Sequence, residues 1–183
     1  MINLLEAMQA RLFGIVFLKD PDRPTSKVGL YTSAVQQIAD RFNTYVAEHP
    51  EFSEGIMIMD SRGIRSEGRE NFQVASSYLS YVFGSSTGRQ LTSLSEAPLF
   101  ADSRLTAGLQ IAHHVSGLVY GTHFHRFLRY LPGGYDYSYL QQYWPRIHAL
   151  EFHSRDLYGD YRMHGIRVNA TRELKDKWTR PIE

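Results

Sequence analysis

The apolar positions of this chain change their period several times, and each change marks an element. Residues 1–11 (MINLLEAMQAR) place Ile2, Leu4, Leu5 and Met8 on one side of a helical wheel, which predicts a short amphipathic helix. Residues 12–18 (LFGIVFL) form an unbroken apolar run closed by Lys19, Asp20, Pro21 and Asp22; its length and Ile, Val and Phe content predict a buried strand. Loop signals through Pro24 lead into residues 31–48. There Tyr31, Val35, Ile38, Phe42 and Val46 recur at steps of three or four, the clearest helical pattern in the chain. It ends at His49, because the residue before Pro50 is pushed out of helical backbone space.

Residues 55–59 (GIMIM) predict a second short strand that stops at Asp60. Strand, helix and strand in this order predict a crossover unit in a mixed or parallel sheet. The Asp60 carboxylate then sits at the C-terminal edge of a strand, where open α/β sheets hold their ligands. Residues 61–71 read as a charged loop or exposed helix start, residues 72–83 as helical, and residues 84–88 (GSSTG) as a flexible turn. Residues 91–102 are extended around Pro98. Residues 103–131 read as one long helix with Leu105, Leu109, Ala112, Leu118, Gly121 and Phe124 as its buried stripe. Gly108, Gly117 and Gly121 each cost such a helix about 1 kcal/mol against alanine, so close packing against a neighbour is expected there. After Pro132, Gly133 and Gly134, residues 135–153 predict a helix rich in Tyr and Trp, residues 163–168 a last strand, and residues 172–183 an exposed tail. No repeat or linker divides the sequence, so the expected organisation is a single domain over residues 1–183 with an aromatic-rich helical C-terminal third.

Composition narrows the classes. With 43% apolar and 21% charged residues in 183, the chain has the makings of a real core and is neither disordered nor collagenous. Twenty Lys and Arg against nineteen Asp and Glu leave a net charge of +1, so any nucleic acid has to be met by a local patch rather than a global field. The absence of cysteine excludes disulfides, thiolate zinc sites and Cys nucleophiles, and is compatible with a reducing compartment. The apolar run 12–18 falls far short of the ~20 residues of a membrane span, and Glu6 together with the lack of a small-residue cleavage site argues against a signal peptide. The expectation is a cytoplasmic protein with no membrane partner.

No Walker loop, dinucleotide glycine fingerprint, nucleophile elbow or His-Glu-x-x-His helix is present. The remaining chemistry lies in carboxylates and histidines at element ends. Asp60, after an apolar strand, is a rigidly held oxygen donor suited to Mg²⁺ or Mn²⁺, or else the cap of the following turn. Asp102 and Ser103 can N-cap the long helix through a side-chain oxygen, worth about 1 kcal/mol. Gln110 fits a substrate phosphate or a structural amide. Seven of the eight histidines fall between His113 and His164. On one helix the spacing of His113, His114, His123 and His125 does not close a zinc site. His113 either joins Asp60 in a site assembled across elements or is an ordinary core or surface histidine. Arg62, Arg65 and Arg69 follow Asp60, and Arg104 follows Asp102; guanidinium groups beside a carboxylate site suit phosphodiesters, although Glu67 and Glu70 dilute the patch. The tyrosine-rich residues 130–143 with Trp144 suit base stacking, a protein interface or core packing.

Taken together, residues 31–46, GIMIMDSR at 55–62 and PLFADSRLTAGLQIAHHVSG at 98–117 resemble the bacterial and phage domain-of-unknown-function family 3800, regarded as ribonuclease H-like and nucleolytic. The second long segment carries most of the likeness through Phe100, Ser103, Leu109, Gln110, Ala112 and Gly117. The resemblance implies an α/β fold, a ribonuclease H-like mixed sheet flanked by helices. Asp60 matches the second of three acidic positions of that family. The first, in an opening Asp-Glu-Ser-Gly strand, has no counterpart, and His113 stands at the third. The chain is therefore expected to be a member lacking the first hairpin, with an exposed sheet edge that a second copy or another subunit covers. The implied function is a metal-dependent phosphodiesterase or nuclease-like protein of reduced activity. Asp60 and His113 would be its metal ligands, Asp60, His113 and Asp102 its catalytic groups, and Arg62, Arg104 and Gln110 its substrate contacts. Replacement of aspartate by His113 extends the expected metals from Mg²⁺ or Mn²⁺ to Zn²⁺ or Fe²⁺. The alternative is a catalytically inactive interaction subunit of a phage-defence or mobile-element system.

Overall fold

The helical period at residues 31–48 produces a helix that starts four residues earlier, because Ser26 provides a cap. Its side-chain oxygen accepts the Gly29 N–H at 3.3 Å and opens α2, Lys27–Glu48. The structure is a computed structural model that describes residues 1–18, 26–61, 69–95, 97–128, 138–155 and 161–169. Arg62, Arg65, Glu67 and the tail 172–183 lie outside the described residues, as do the side chains of Arg69, Glu70, His123, Phe124 and His125. The remaining elements are α1 (Ile2–Ala7), β1 (Gly14–Phe17), β2 (Ile58–Asp60), α3 (Arg69–Gly84), β3 (Leu99–Ala101), α4 (Ala107–Leu128), α5 (Trp144–Leu150), β4 (His153–Arg155), β5 (Tyr161–His164) and β6 (Ile166–Asn169), with 3₁₀ turns at Gly88–Gln90 and Ser138–Tyr143. The protein is thus mixed α/β. Among the described residues no helix is long and apolar enough to cross a membrane.

The chain forms two compact units: one of Met1–Thr25, Ala112–His153 and His164–Glu183, the other of Ser26–Ile111 and Ser154–Met163. The second unit is built on α2 against α3. Val35, Ala39 and Val46 of α2 meet Val74 and Tyr78 of α3, and Met59, Leu91 and Leu94 complete the core. β2 and β3 pair in parallel, with Ile58 opposite Leu99 and Asp60 opposite Ala101, so the crossover runs through α3. This differs from the sequence reading, in which residues 12–18 and 55–59 flank the crossover helix. The two strands belong to different sheets, and β1 pairs instead, also in parallel, with β6, Gly14 opposite Ile166. Among the described residues the strands form three two-stranded sheets rather than one central sheet.

The long helix also departs from its expected form. Asp102 does not cap it. The Asp102 carboxylate accepts the Arg104 N–H at 2.9 Å, Leu105 N–H closes a turn on Asp102 O at 3.0 Å, and the helix opens only at Ala107. Leu105 is left outside the helix and 87% exposed. Ala112 is exposed as well, while Leu109, Val119 and Gly121 are buried. Gly108 and Gly117 face open space, so close packing is not the reason for these glycines.

In the first unit, α1 buries Ile2 and Leu5 and α5 buries Ile147 and Leu150. Arg146 of α5 donates to Glu6 (Nε to Oε1 at 2.9 Å) and to Asn3 at 2.5 Å, tying α5 to α1 and holding the Glu6 carboxyl below its usual range. The expected helix over residues 135–153 is broken into the 3₁₀ turn, short α5 with Pro145 in its first turn, and strand β4.

Candidate metal centre

Three stretches of the first unit are laced together where α5 ends. Leu12 N–H donates to Leu150 O at 2.9 Å and Phe152 N–H to Leu12 O at 3.2 Å, a parallel bridge between Leu12 and Glu151. Gly165 N–H donates to Phe152 O at 2.7 Å, and Gly14 N–H to Gly165 O at 3.0 Å. A Cβ at Gly165 would lie 2.5 Å from Leu12 O and 2.9 Å from Phe152 O; only glycine permits this approach. The rings of Phe13 and Phe152 pack beside the joint with centroids 5.3 Å apart.

Glu151 sits at the centre of this joint with its side chain 4% exposed. A buried carboxylate must find donors, since ionised oxygens without them cost several kcal/mol. Oε1 accepts the Ile166 N–H at 2.8 Å, at the start of β6. Oε2 lies 2.8 Å from His148 Nδ1 and 3.8 Å from His153 Nε2. A carboxylate only accepts, so in this pairing the hydrogen is on His148 Nδ1. His148 and Glu151 are three residues apart across the last turn of α5, and the chain then turns to extended backbone at Glu151 (φ −62°, ψ 133°), which brings His153 back to the same carboxylate. His148 is open to solvent and the Nδ1 of His153 is buried, so the cluster is exposed on one side only.

The rings continue the cluster in both directions. Trp144 stacks on His148 with centroids 5.9 Å apart and planes at 17°. His148 meets His153 edge-on at 5.3 Å, and His153 meets His164 edge-on at 5.4 Å.

His148, Glu151 and His153 each bring a ligand atom within 4.8 Å of the other two. Zn²⁺ with bonds of ~2.0–2.2 Å in tetrahedral geometry separates its ligands by about 3.3 Å. The distances of 2.8 and 3.8 Å to Glu151 Oε2 bracket that value, so small side-chain rotations would make room for an ion. Two imidazoles and one carboxylate so placed could hold a metal ion, and the set is not specific to one metal.

The residues singled out in the sequence are placed elsewhere. Asp60 ends β2 in the second unit, where its Oδ1 accepts the Ser103 N–H at 3.1 Å; the carboxylate serves the turn that follows β3. Asp102 and Arg104 share that turn and pair with each other, Arg104 Nη2 lying 2.5 Å from Asp102 Oδ2. The guanidinium pushes the Asp102 carboxyl down to about 2. Gln110 donates to Arg104 O at 3.3 Å, the structural use of the amide. His113 is exposed on α4 and belongs to the first unit, not to that of Asp60.

The sequence reading passed over His148, Glu151 and His153 although HALEFH stands at residues 148–153. If residues 135–153 were one helix, His148 and His153 would be five positions apart on different faces. Only the end of α5 at Leu150 turns the two imidazoles toward one carboxylate.

In comparison with known proteins, the chain matches no protein-family model, no curated protein and no solved structure.

Proposed function

We propose that this protein is a metal-dependent hydrolase of phosphodiesters whose dication is held by His148, Glu151 and His153. The observation that carries the reading is the grouping of two imidazoles and a buried, hydrogen-bonded carboxylate within 4.8 Å. Three protein ligands are the count of a working zinc centre: the next position takes water or substrate, and water bound there loses its proton near pH ~7. The exposed edge of His148 supplies the opening for a substrate, and Glu151, fixed by the Ile166 N–H, supplies a ligand that does not need to be ordered on binding. The phosphodiester part rests on the likeness of residues 31–46, 55–62 and 98–117 to a nucleolytic family. That likeness also supports a ribonuclease H-like architecture.

Dialysis against Zn²⁺, Mn²⁺ and Mg²⁺ followed by metal analysis tests the centre, and labelled single-stranded and duplex oligonucleotides of DNA and RNA test the reaction. The expected result is about one Zn²⁺ or Mn²⁺ per chain, lost in the His148→Ala/His153→Ala double variant and retained in Asp60→Ala, with cleavage following the metal. A wild-type chain that retains no metal sinks the reading. Metal without cleavage of any substrate removes the hydrolase and leaves a metal-binding interaction subunit.

The hydrogen bonds of Glu151 to Ile166 and His148 favour a second reading, in which the same cluster is only a structural joint. Its signature is a metal-free chain whose folding depends on Glu151.

A further inference from the structure

We infer that Glu48, at the end of α2, is a positioning residue of this centre: through the hydroxyl of Ser154 it holds β4 so that His153 faces Glu151. The inference rests on the metal-binding reading of His148, Glu151 and His153. The two histidines relate to the carboxylate in different ways. His148 Nδ1 is hydrogen-bonded to Glu151 Oε2 at 2.8 Å, whereas His153 Nε2 stands 3.8 Å from the same oxygen, beyond hydrogen-bond reach. The carboxylate therefore does not fix His153, and the backbone that carries the imidazole has to be held.

That backbone is held on both sides of His153. Before it, Phe152 N–H donates to Leu12 O at 3.2 Å and Phe152 O accepts the Gly165 N–H at 2.7 Å. After it, the side chain of Ser154, whose residue is 0% exposed, donates its Oγ hydrogen to Oε1 of Glu48. Neighbouring residues of a strand point to opposite faces, so the bond at Ser154 secures β4 from the side away from the His153 ring. Both partners of this bond belong to the second unit, and the peptide bond between residues 153 and 154 passes its constraint to the ligand. A buried hydroxyl has no water to exchange for its partner, and a hydrogen bond to an ionised carboxylate is roughly twice as strong as a neutral one.

The place of Glu48 in the chain points the same way. A carboxylate in the last turn of a helix is opposed by the helix dipole, and α2 has no basic residue there to offset it. Glu48 is nevertheless the final residue of α2, where its carboxylate accepts from Ser154. The bond adds no ligand to the centre, so the position open to water or substrate stays open.

The test measures Zn²⁺ affinity by chelator competition, visible Co²⁺ spectra and denaturant stability on the full chain. Ser154→Ala and Glu48→Ala are expected to weaken Zn²⁺ binding on the order of 10- to 100-fold and to alter the Co²⁺ bands. Glu48→Gln, which keeps an acceptor oxygen without the charge, is expected to recover most of the loss. Wild-type affinity in Glu48→Ala, with only stability reduced, would make the bond purely structural and overturn the inference while the centre stands. Glu48→Gln as weak as Glu48→Ala would assign the effect to charge alone and overturn it as well. A wild-type chain that binds no metal overturns both the centre and the role of Glu48. If Ser154→Ala does not fold, the two variants of exposed Glu48 decide the outcome.

Discussion

The Oε1 atom of Glu151 accepts the main-chain N–H of Ile166 at 2.8 Å, and both groups are buried. One side chain at the end of a helix thus holds the first residue of β6, the strand that pairs with β1. The other carboxylate oxygen faces His148 and His153. In the proposed centre the same carboxylate would hold both the ion and the strand, so metal binding there would act on the stability of this joint.

Glu151→Ala strands a buried amide and removes the partner of two imidazoles, and is expected to destabilise the protein by about 1–3 kcal/mol. Glu151→Gln keeps an oxygen for Ile166 and is expected to cost less. Denaturant titrations of both variants in chelator measure the difference. Equal losses would mean that the bond to Ile166 contributes nothing.

Alanine at the glycines separates two kinds of position. At Gly88 a Cβ would stand 1.9 Å from Tyr81 O, and at Gly165 2.5 Å from Leu12 O; main chain must move in both cases. Gly88→Ala and Gly165→Ala are each expected to lose about 3 kcal/mol. Gly108 and Gly117 face open space on α4, and Gly108→Ala and Gly117→Ala are expected to gain up to about 1 kcal/mol from helix propensity. Thermal or denaturant melts give both signs, and loss of stability in Gly117→Ala would contradict the exposed face of α4.

Asp40 sets a pH dependence in the second unit. Tyr81 donates to its Oδ1 at 2.7 Å, yet burial outweighs this bond and the charge of Arg41, and the Asp40 carboxyl titrates above its usual 3.8. The folded state therefore holds this proton more tightly than the unfolded chain. The associated stability is present below pH 3.8 and is lost as pH rises through the raised value. Asp40→Asn is expected to flatten that part of the stability curve, and Tyr81→Phe to steepen it and cost about 1 kcal/mol. Denaturation midpoints followed across the acid range distinguish these outcomes from an unperturbed carboxylate.

Asp102 has the opposite sign. Its hydrogen bonds from the Arg104 side chain and main chain depress the carboxyl from 3.8 to about 2. Its contribution is complete above 3.8 and disappears as pH falls through about 2. Both side chains reach solvent, so the expected effect on melting is small. The direct readout is carboxyl ¹³C titration: Asp102 is expected to move back toward 3.8 in Arg104→Gln. A wild-type midpoint already near 3.8 would mean that this turn is not formed.

Local patterns in the sequence determined most of the elements. The three- and four-residue steps of Tyr31, Val35, Ile38, Phe42 and Val46 are α2, the run at residues 12–18 contains β1, and GIMIM leads into β2, because helix and strand periods are set by each segment's own backbone geometry. The pairing of strands was not legible in this way. β1 meets β6 from the far end of the chain, and that choice depends on hydrogen bonds between segments and on the room left at Gly165. The candidate centre belongs to the second kind of information. Its residues were visible as types, but the convergence of His148 and His153 on Glu151 arises from the helix ending at Leu150 and the chain folding back on itself. Asp60 was read correctly as the end of a strand, while the tertiary structure gave its carboxylate to the Ser103 amide, since the parallel pairing of β2 with β3 brings that turn beside it.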